Sequence, residues 1–403
     1  MLHIIGGTYL EQCVEPTWFQ LFGSGLRAAS VARTWSNKVQ LHTYVDETQK
    51  INLQYQATTF RFSTNVTPRS NSIMFHYQHG LARPVVSPRR NTIQSERDIS
   101  VTEANVLRFG MLEGQGIVHG DRVVYDPQSP DNPEPFGKNG STAKHLAIVA
   151  NYREASQLAR SNRLDTIGKS LLKRHKAEVA IVKQGALGAS VFTSKGMRRI
   201  PAFETENVWP IGSGDAYSAC FASLWADKKV PAYEAAFQAS LAAAYFCNSR
   251  ALPLPPNAIH EAKKIFRPLA TKNGNGPHPS VYLAGPFFTM AQRWLINESR
   301  AGLASQGVKV FSPFHDIGYG SADDVVPKDI EAIKKSAALF AIVDGTDTGT
   351  VFEIGYARAL GIPVVAFVQN EPEEPLKMLK GTDTIICHDF TTAIYRTSWE
   401  ARR

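Results

Sequence analysis

The sequence predicts an α/β protein of two domains: a larger three-layer α/β/α domain over residues 1–270 and a smaller doubly wound parallel-sheet domain over 280–403. Three observations predict it. Apolar runs such as "HLAIVA" (145–150) and "VAIVKQG" (179–185) alternate with helical stretches such as "YREASQLAR", and that alternation implies a mostly parallel sheet covered by helices. The segment "TKNGNGPHPS" is rich in Gly, Pro and Asn without periodicity, so residues 271–279 read as a linker. Beyond it the same alternation restarts with "SVYLAG", and 403 residues is long for a single core.

The start, "MLHIIGGTYLEQC", reads as a first strand, because it has no basic leader or cleavage pattern. No apolar run approaches the roughly 20 residues that span a bilayer, so a cytoplasmic protein without membrane contact is expected. Cys13, Cys220, Cys247 and Cys387 are far apart and form no CxxC pair, which favours reduced thiols over disulfides or zinc. The net charge of +8 is uneven: residues from 279 onward carry 12 Lys and Arg against 15 Asp and Glu, which leaves +11 on the first 278. Without a nucleic-acid-binding module, that surplus suits phosphate-bearing small molecules. Between 51 and 100 the pattern turns extended and polar ("INLQYQATTFRFS", "NSIMFHYQ"), and reads as short strands or loops, either a lid or a surface meander.

"PIGSGDAYSACFASLWA" (210–226) is the most informative stretch of the first domain. Gly212, Ser213 and Gly214 precede Asp215 at the start of a helix, where backbone amides attract anions. A carboxylate there can take a proton from a hydroxyl while the amides hold phosphoryl oxygens. The bland alternative is a helix capped by an acidic first turn. The stretch resembles the signature of the PfkB, or ribokinase-like, family of sugar and nucleoside kinases. Three further segments fall in the expected order. "FGSGLRAASVA" (22–32) resembles the sugar-side glycine motif, with Gly23 and Gly25; "ANYREASQLA" (150–159) matches an Asn-x-x-Glu element; and "VAIVKQGALGASVF" (179–192) resembles the segment lining the nucleotide site.

The resemblance implies a ribokinase-like fold using ATP and Mg²⁺. Asp215 would be the base, and Gly212, Ser213, Gly214, Lys183 and Gly185 would line the nucleotide. Asn151 and Glu154 would lie near the metal, partly through water. There are departures. Trp209 and Pro210 replace an expected Asp-Thr, the asparagine usual after the sugar-side glycines is missing, and Glu11 stands for an early sugar-binding aspartate. "YDPQSPDNPEPF" also lacks an arginine often found there. The phosphoryl-transfer residues read as intact, so an active kinase with an unusual acceptor pocket is expected.

In the second domain, "GTDTGTVFEIGYARALGIPVVAF" (345–367) reads as loop, helix and buried strand, following the strand "AALFAIVDG". Asp344, Asp347 and Glu353 then gather at a strand's carboxyl end, where open α/β sheets bind ligands. Turn capping is the bland alternative. Together with "VYLAGPFF" (281–288) and "VPKDIEAIKKSAALFAIVDG" (326–345), the stretch resembles the nucleoside 2-deoxyribosyltransferase family and implies a flavodoxin-like fold. By resemblance Glu353 is the nucleophile, kept ionised by its helix N-terminus and suited to an oxocarbenium-like carbon. Asp347 would orient sugar and base, Asp329 would handle the base, and Tyr282 would hold Glu353 by a hydrogen bond. Gly285 and Pro286 would open a loop for a sugar hydroxyl or 5′-phosphate, and Asp344 would face substrate. Family transferases carry an Asn near a late Met; here Met378 stands beside Lys377, which suits a phosphate and resembles the branch that hydrolyses nucleoside 5′-monophosphates.

The expectation is therefore a bifunctional, homo-oligomeric enzyme acting on a small nucleoside or nucleotide and not on nucleic acid. ATP-dependent phosphorylation would precede N-glycosidic cleavage. Base exchange with an independent kinase is one rival, and a nucleotide-sensing kinase-like domain regulating an N-glycosidase in stress or phage defence is another. His76, His79, His315 and His388 have no metal-ligand spacing and read as structural.

Overall fold

The computed structural model describes residues 1–129, 131–269 and 278–403, which form two compact units. Unit 1 comprises Met1–Thr205 with Trp209–Pro268, and unit 2 comprises Glu206–Val208 with Leu269–Arg403. The expected linker lies outside the described residues except for His278 and Pro279.

Unit 1 is built on a nine-stranded sheet. From one edge the strands are Gly196–Ile200, Ala189–Thr193, Val179–Lys183, Thr142–Asn151, Gly116–Asp126, Ile99–Phe109, Leu2–Ile5, Val39–Val45 and Ser63–Pro68. Pairings from Val179–Lys183 to the far edge are parallel, and the first two are antiparallel. Because side chains alternate across a strand, the sheet feeds two cores. Leu2 and Ile4 pack with residues of the helices Gly23–Ala32, Ser213–Ala222 and Ala232–Ser249. Ile5, Ala180 and Val182 pack on the other side with Tyr152–Ala159 and Leu164–Arg174. The result is the expected three layers.

A second, four-stranded sheet contains, in order, Trp18–Leu21, Leu10–Glu15, Met74–His79 and Val85–Ser87. "NSIMFHYQ" thus supplies a strand. "INLQYQATTF" does not: it lies in a helix, Glu47–Phe60, with only Leu53 and Ala57 buried. That four-residue spacing is one helical contact line, which the polar residues between had obscured.

Unit 2 holds five parallel strands in the order Lys309–Phe311, Ser280–Ala284, Ala338–Ile342, Val364–Phe367 and Ile385–Cys387. In sequence terms this is 2-1-3-4-5, the flavodoxin-like order, with its switch point between the first and third strands. The helix Thr348–Ala359 starts just beyond the third strand and is closed by Gly361 at φ 74°. Among the described residues no helix is long and apolar enough to cross a membrane. None of the four cysteines is in a disulfide.

The sugar-side glycines have a packing role. A Cβ built on Gly6 would lie 2.7 Å from the Gly25 Cα, and one on Gly25 would meet the Gly6 carbonyl. The helix Gly23–Ala32 therefore touches the end of the first strand backbone to backbone. Overpacking of such a contact costs about 1–3 kcal/mol. Gly25→Ala should lower the thermal melt of the protein, and an unchanged melt would show that the approach tolerates a methyl group.

Candidate functional site

In unit 1 the glycine turn Gly212–Gly214 opens the helix Ser213–Ala222, with Asp215 in its first turn. Gly212 adopts φ 81°, a left-handed conformation that glycine accepts without a Cβ penalty. Lys183 comes to the same turn: a Cβ on Gly214 would lie 3.3 Å from its Nζ. Its ammonium pairs with Asp126 at 2.7 Å, and Ser218 donates to the same carboxylate oxygen at 2.7 Å. The predicted nucleotide-side residues Gly212, Ser213, Gly214 and Lys183 are thus gathered around one turn, while Gly185 turns the chain just after Lys183 at φ 55°.

On the acceptor side the predicted residues are tied to one another. Asp215 is buried and accepts from Arg27 Nη1 at 2.8 Å and from Gln128 Nε2 at 3.0 Å. Arg27, 2% exposed, also pairs through Nη2 with Glu11, which further accepts from the Gly23 amide at 2.9 Å. Burial alone would lower the Arg27 pKa, but the two carboxylates reverse this and hold the guanidinium protonated. Burial lifts the Asp215 carboxyl above its ordinary range, against the pull of Arg27. The space over the glycine motif is also filled by the chain: the Tyr9 ring lies against Gly7 and Gly23. Its hydroxyl donates to Glu113 at 2.7 Å, and Glu113 pairs with Arg69 at 2.8 Å.

Asn151 and Glu154, expected near Mg²⁺, close on each other as a capping box for the helix Tyr152–Ala159. Burial, and then Asp126, push the Glu154 carboxyl up to about 7. Among the described residues no group of three or more His, Cys, Asp or Glu side chains is arranged to hold a metal ion. The turn and Lys183 fit a phosphate, whereas among the described residues Asn151 and Glu154 are engaged with each other and no three-ligand cation site forms.

In unit 2 the strand Ser280–Ala284 carries Tyr282, whose hydroxyl donates to Glu353 Oε1 at 2.5 Å. Asp329, from the helix Ala322–Lys334, interacts with the same hydroxyl, and its Oδ1 is buried without a hydrogen-bond partner among the described residues. A phenol has one proton to donate, and here it goes to Glu353, with Asp329 beside the same hydroxyl. Glu353 lies in the second turn of Thr348–Ala359, too far along for the helix N-terminus to control its charge. Burial instead pushes its carboxyl up to about 7; the Tyr282 hydrogen bond pulls it down, and Asp329 and Asp347 push it up. The expected dipole stabilisation is thus replaced by burial against a phenol.

Asp347 is the N-cap of this helix, accepting from the Thr350 amide at 2.8 Å and the Thr350 hydroxyl at 2.9 Å. Asp344, expected to face substrate, accepts from the Gln369 and Asn370 amides at 2.9–3.0 Å, which ties the strand's exit to the neighbouring loop. Lys377 pairs with Glu374 at 2.5 Å on an exposed helix, and Met378 is likewise exposed. Gly285 and Pro286 follow Tyr282 on the loop that Arg293 Nε clasps through the Phe287 carbonyl at 2.8 Å.

Residues 115–254 match the model of the pfkB family carbohydrate kinases, and residues 281–386 match that of the nucleoside 2-deoxyribosyltransferases. One chain carries both domains. The first match starts at residue 115, so Tyr9, Glu11, Gly23, Gly25 and Arg27 lie outside it, whereas Asp215 and Lys183 lie inside. No curated protein matches the chain. Among solved structures, the chain resembles a ribokinase from Thermotoga maritima at 15% identity and TM-score 0.49, covering 66% of this chain and 99% of that one. It also resembles a Burkholderia thailandensis nucleoside kinase in complex with inosine, at 13% identity and TM-score 0.49, covering 66% and 98%. A third is a pyrophosphate-dependent kinase in the ribokinase family, complexed with a pyrophosphate analog and myo-inositol, at 12% identity, TM-score 0.48 and coverage of 65% and 100%.

The sequence reasoning missed Arg27, Tyr9 and Gln128. The signal for Arg27 was its position four residues after Gly23, where the family asparagine was noted only as absent.

The raised Glu353 pKa has a signed consequence. Between about pH 4.5 and 7 the unfolded chain loses this proton while the folded chain keeps it, so this group's contribution to stability falls as pH rises. Glu353→Gln should flatten that part of the melting-temperature profile and raise the melt above pH 7. An unchanged profile would mean that Glu353 is not desolvated.

Proposed function

We propose that unit 2 breaks the N-glycosidic bond of a nucleoside or nucleoside 5′-monophosphate through attack of Glu353 on the anomeric carbon. The observation that carries this reading is the Tyr282–Glu353 hydrogen bond at 2.5 Å, with the Asp329 carboxylate beside the same hydroxyl. A half-buried carboxylate with a pKa near 7 is ionised over part of the physiological range and weakly solvated, which suits a nucleophile facing a cationic carbon. The phenol orients it. The unpartnered Asp329 Oδ1 is available to a donor on the base or sugar. The C1′–N bond breaks, its electron pair leaves with the base, and a glycosyl ester forms on Glu353. Water then releases the sugar, or a second base captures it.

ATP-dependent phosphorylation by unit 1 ahead of cleavage is the fullest form of this reading, and the pfkB family match supports it. It requires Asp215 to give up Arg27. The Arg27–Asp215 pair at 2.8 Å favours a second reading, in which unit 1 binds a nucleotide without transferring its phosphoryl group.

Glu353→Gln should reduce base release by at least about 10³-fold, measured by chromatography across a nucleoside and monophosphate panel. With a slow fluorinated substrate the wild type should gain one glycosyl mass on the peptide containing Glu353. Wild-type release in the variant would remove the nucleophile role. Tyr282→Phe should shift the acid limb of kcat/KM to higher pH, because the hydrogen bond that lowers the Glu353 pKa is lost; an unshifted limb would assign Tyr282 to packing alone. Product formation that requires an added free base would establish exchange rather than hydrolysis.

A further inference from the structure

Tyr282 has one hydroxyl proton and two carboxylates beside it. Glu353 Oε1 accepts that proton at 2.5 Å, while Asp329, at the same hydroxyl, has a buried Oδ1 without a hydrogen-bond partner among the described residues. We propose that Phe311 is a positioning residue that commits the proton to Glu353 rather than to Asp329, by fixing the plane of the Tyr282 ring. Its meaning for catalysis rests on the Glu353 reading above; the placement of the proton does not.

Two observations carry it. The first is the unanswered acceptor. A buried carboxylate oxygen without a donor is costly, so Asp329 pulls on the phenol. The strand Ser280–Ala284 is held on both sides by parallel partners, Lys309–Phe311 and Ala338–Ile342. That fixes the backbone of Tyr282 but not the side-chain torsions that aim its hydroxyl. The other charged groups acting on Glu353 are Asp329 and Asp347, both acids, so neither supplies a replacement donor. Something beyond the strand must choose which acid receives the proton.

The second is the stack. Phe311 stands opposite Tyr282 in the register of the two strands, and their rings lie 5.6 Å apart at 22°. Leu339 stands opposite Tyr282 on the other neighbouring strand. Residues opposite each other in adjacent strands share a face, so the phenol ring has an aliphatic neighbour on one side and an aromatic one on the other. Of the two, the flat ring is the one whose contact depends on tilt. Tyr282 is fully buried, whereas Phe311 is half-buried on the edge strand of the sheet. The place of Phe311 is fixed one residue on, where the Ser312 amide donates to Asp316 at 2.8 Å.

Carboxyl ¹³C NMR titration of the full chain, labelled at Asp and Glu and assigned with Glu353→Gln and Asp329→Asn, tests this. A hydrogen bond to the charged form of an acid lowers its pKa. Phe311→Leu should therefore move the Glu353 titration to higher pH and the Asp329 titration to lower pH, each by about half a pH unit or more. Tyr282→Phe should raise both, because both lose the hydroxyl, and adding Phe311→Leu to that background should move neither further. Phe311→Trp keeps an aromatic face and should leave both titrations near the wild type. If Phe311→Leu does not fold, Phe311→Met takes its place. Shifts of both acids in the same direction, no shift in either, or a shift that persists without the Tyr282 hydroxyl would each overturn the proposal and leave Phe311 as packing. None of these readouts needs base release. Loss of the Glu353 reading with the opposed shifts intact would leave the proposal standing, and base release that depends on Glu353 without those shifts would sink the proposal alone.

Discussion

A carboxylate withdrawn from water must find a proton donor or keep its own proton, and this constraint organises both units. Asp215, Glu11, Asp126 and Glu113 in unit 1 and Glu353 in unit 2 are all partly or wholly desolvated side chains with a fixed donor. The donors differ in kind. Unit 1 uses guanidinium and ammonium groups, whose charge is permanent at physiological pH. Unit 2 uses a phenol, which donates a hydrogen bond but no charge.

That difference separates the two sites chemically. A permanent cation on Asp215 holds the carboxylate in an ion pair and leaves it little scope to exchange protons. A phenol on Glu353 leaves the negative charge uncompensated, and burial then places its titration at about 7. Such a group is poised to change its charge, or its bonding, when a cationic carbon approaches. In unit 2 the fold creates this by topology: the switch point between the first and third strands sets Tyr282 across from the helix that carries Glu353. Asp344 and Asp347 hold the framework, one tying a neighbouring loop and the other capping the helix. Of the expected trio, Asp347 stays near enough to Glu353 to push its carboxyl up, while Asp329 arrives from a separate helix.

Much of this was legible in the residues. Alternating apolar runs announced the parallel sheets, because a strand buried on both faces has no polar positions. The glycine turn before Asp215 and the Asp-x-Gly-Thr pattern before Glu353 marked the two helix starts, because only certain residues cap a helix or accept a left-handed backbone. These are local rules, and sequence reports local rules well. The helix Glu47–Phe60 was misread because its buried line is only Leu53 and Ala57, too thin a pattern to outweigh its polar residues.

Who partners whom was decided by tertiary structure. Arg27 and Asp215 are 188 residues apart, and Tyr282 and Glu353 are 71 apart. Nothing in either local pattern says whether a basic residue after a glycine motif faces solvent, a ligand or an acid. The chain by itself determined the two α/β units, the anion-attracting turn and the carboxylate-bearing helix, because propensity and periodicity act over a few residues. Only the fold decided that one carboxylate is sealed by a permanent cation and the other is held by a neutral phenol, because desolvation and pairing depend on residues that sequence distance does not connect.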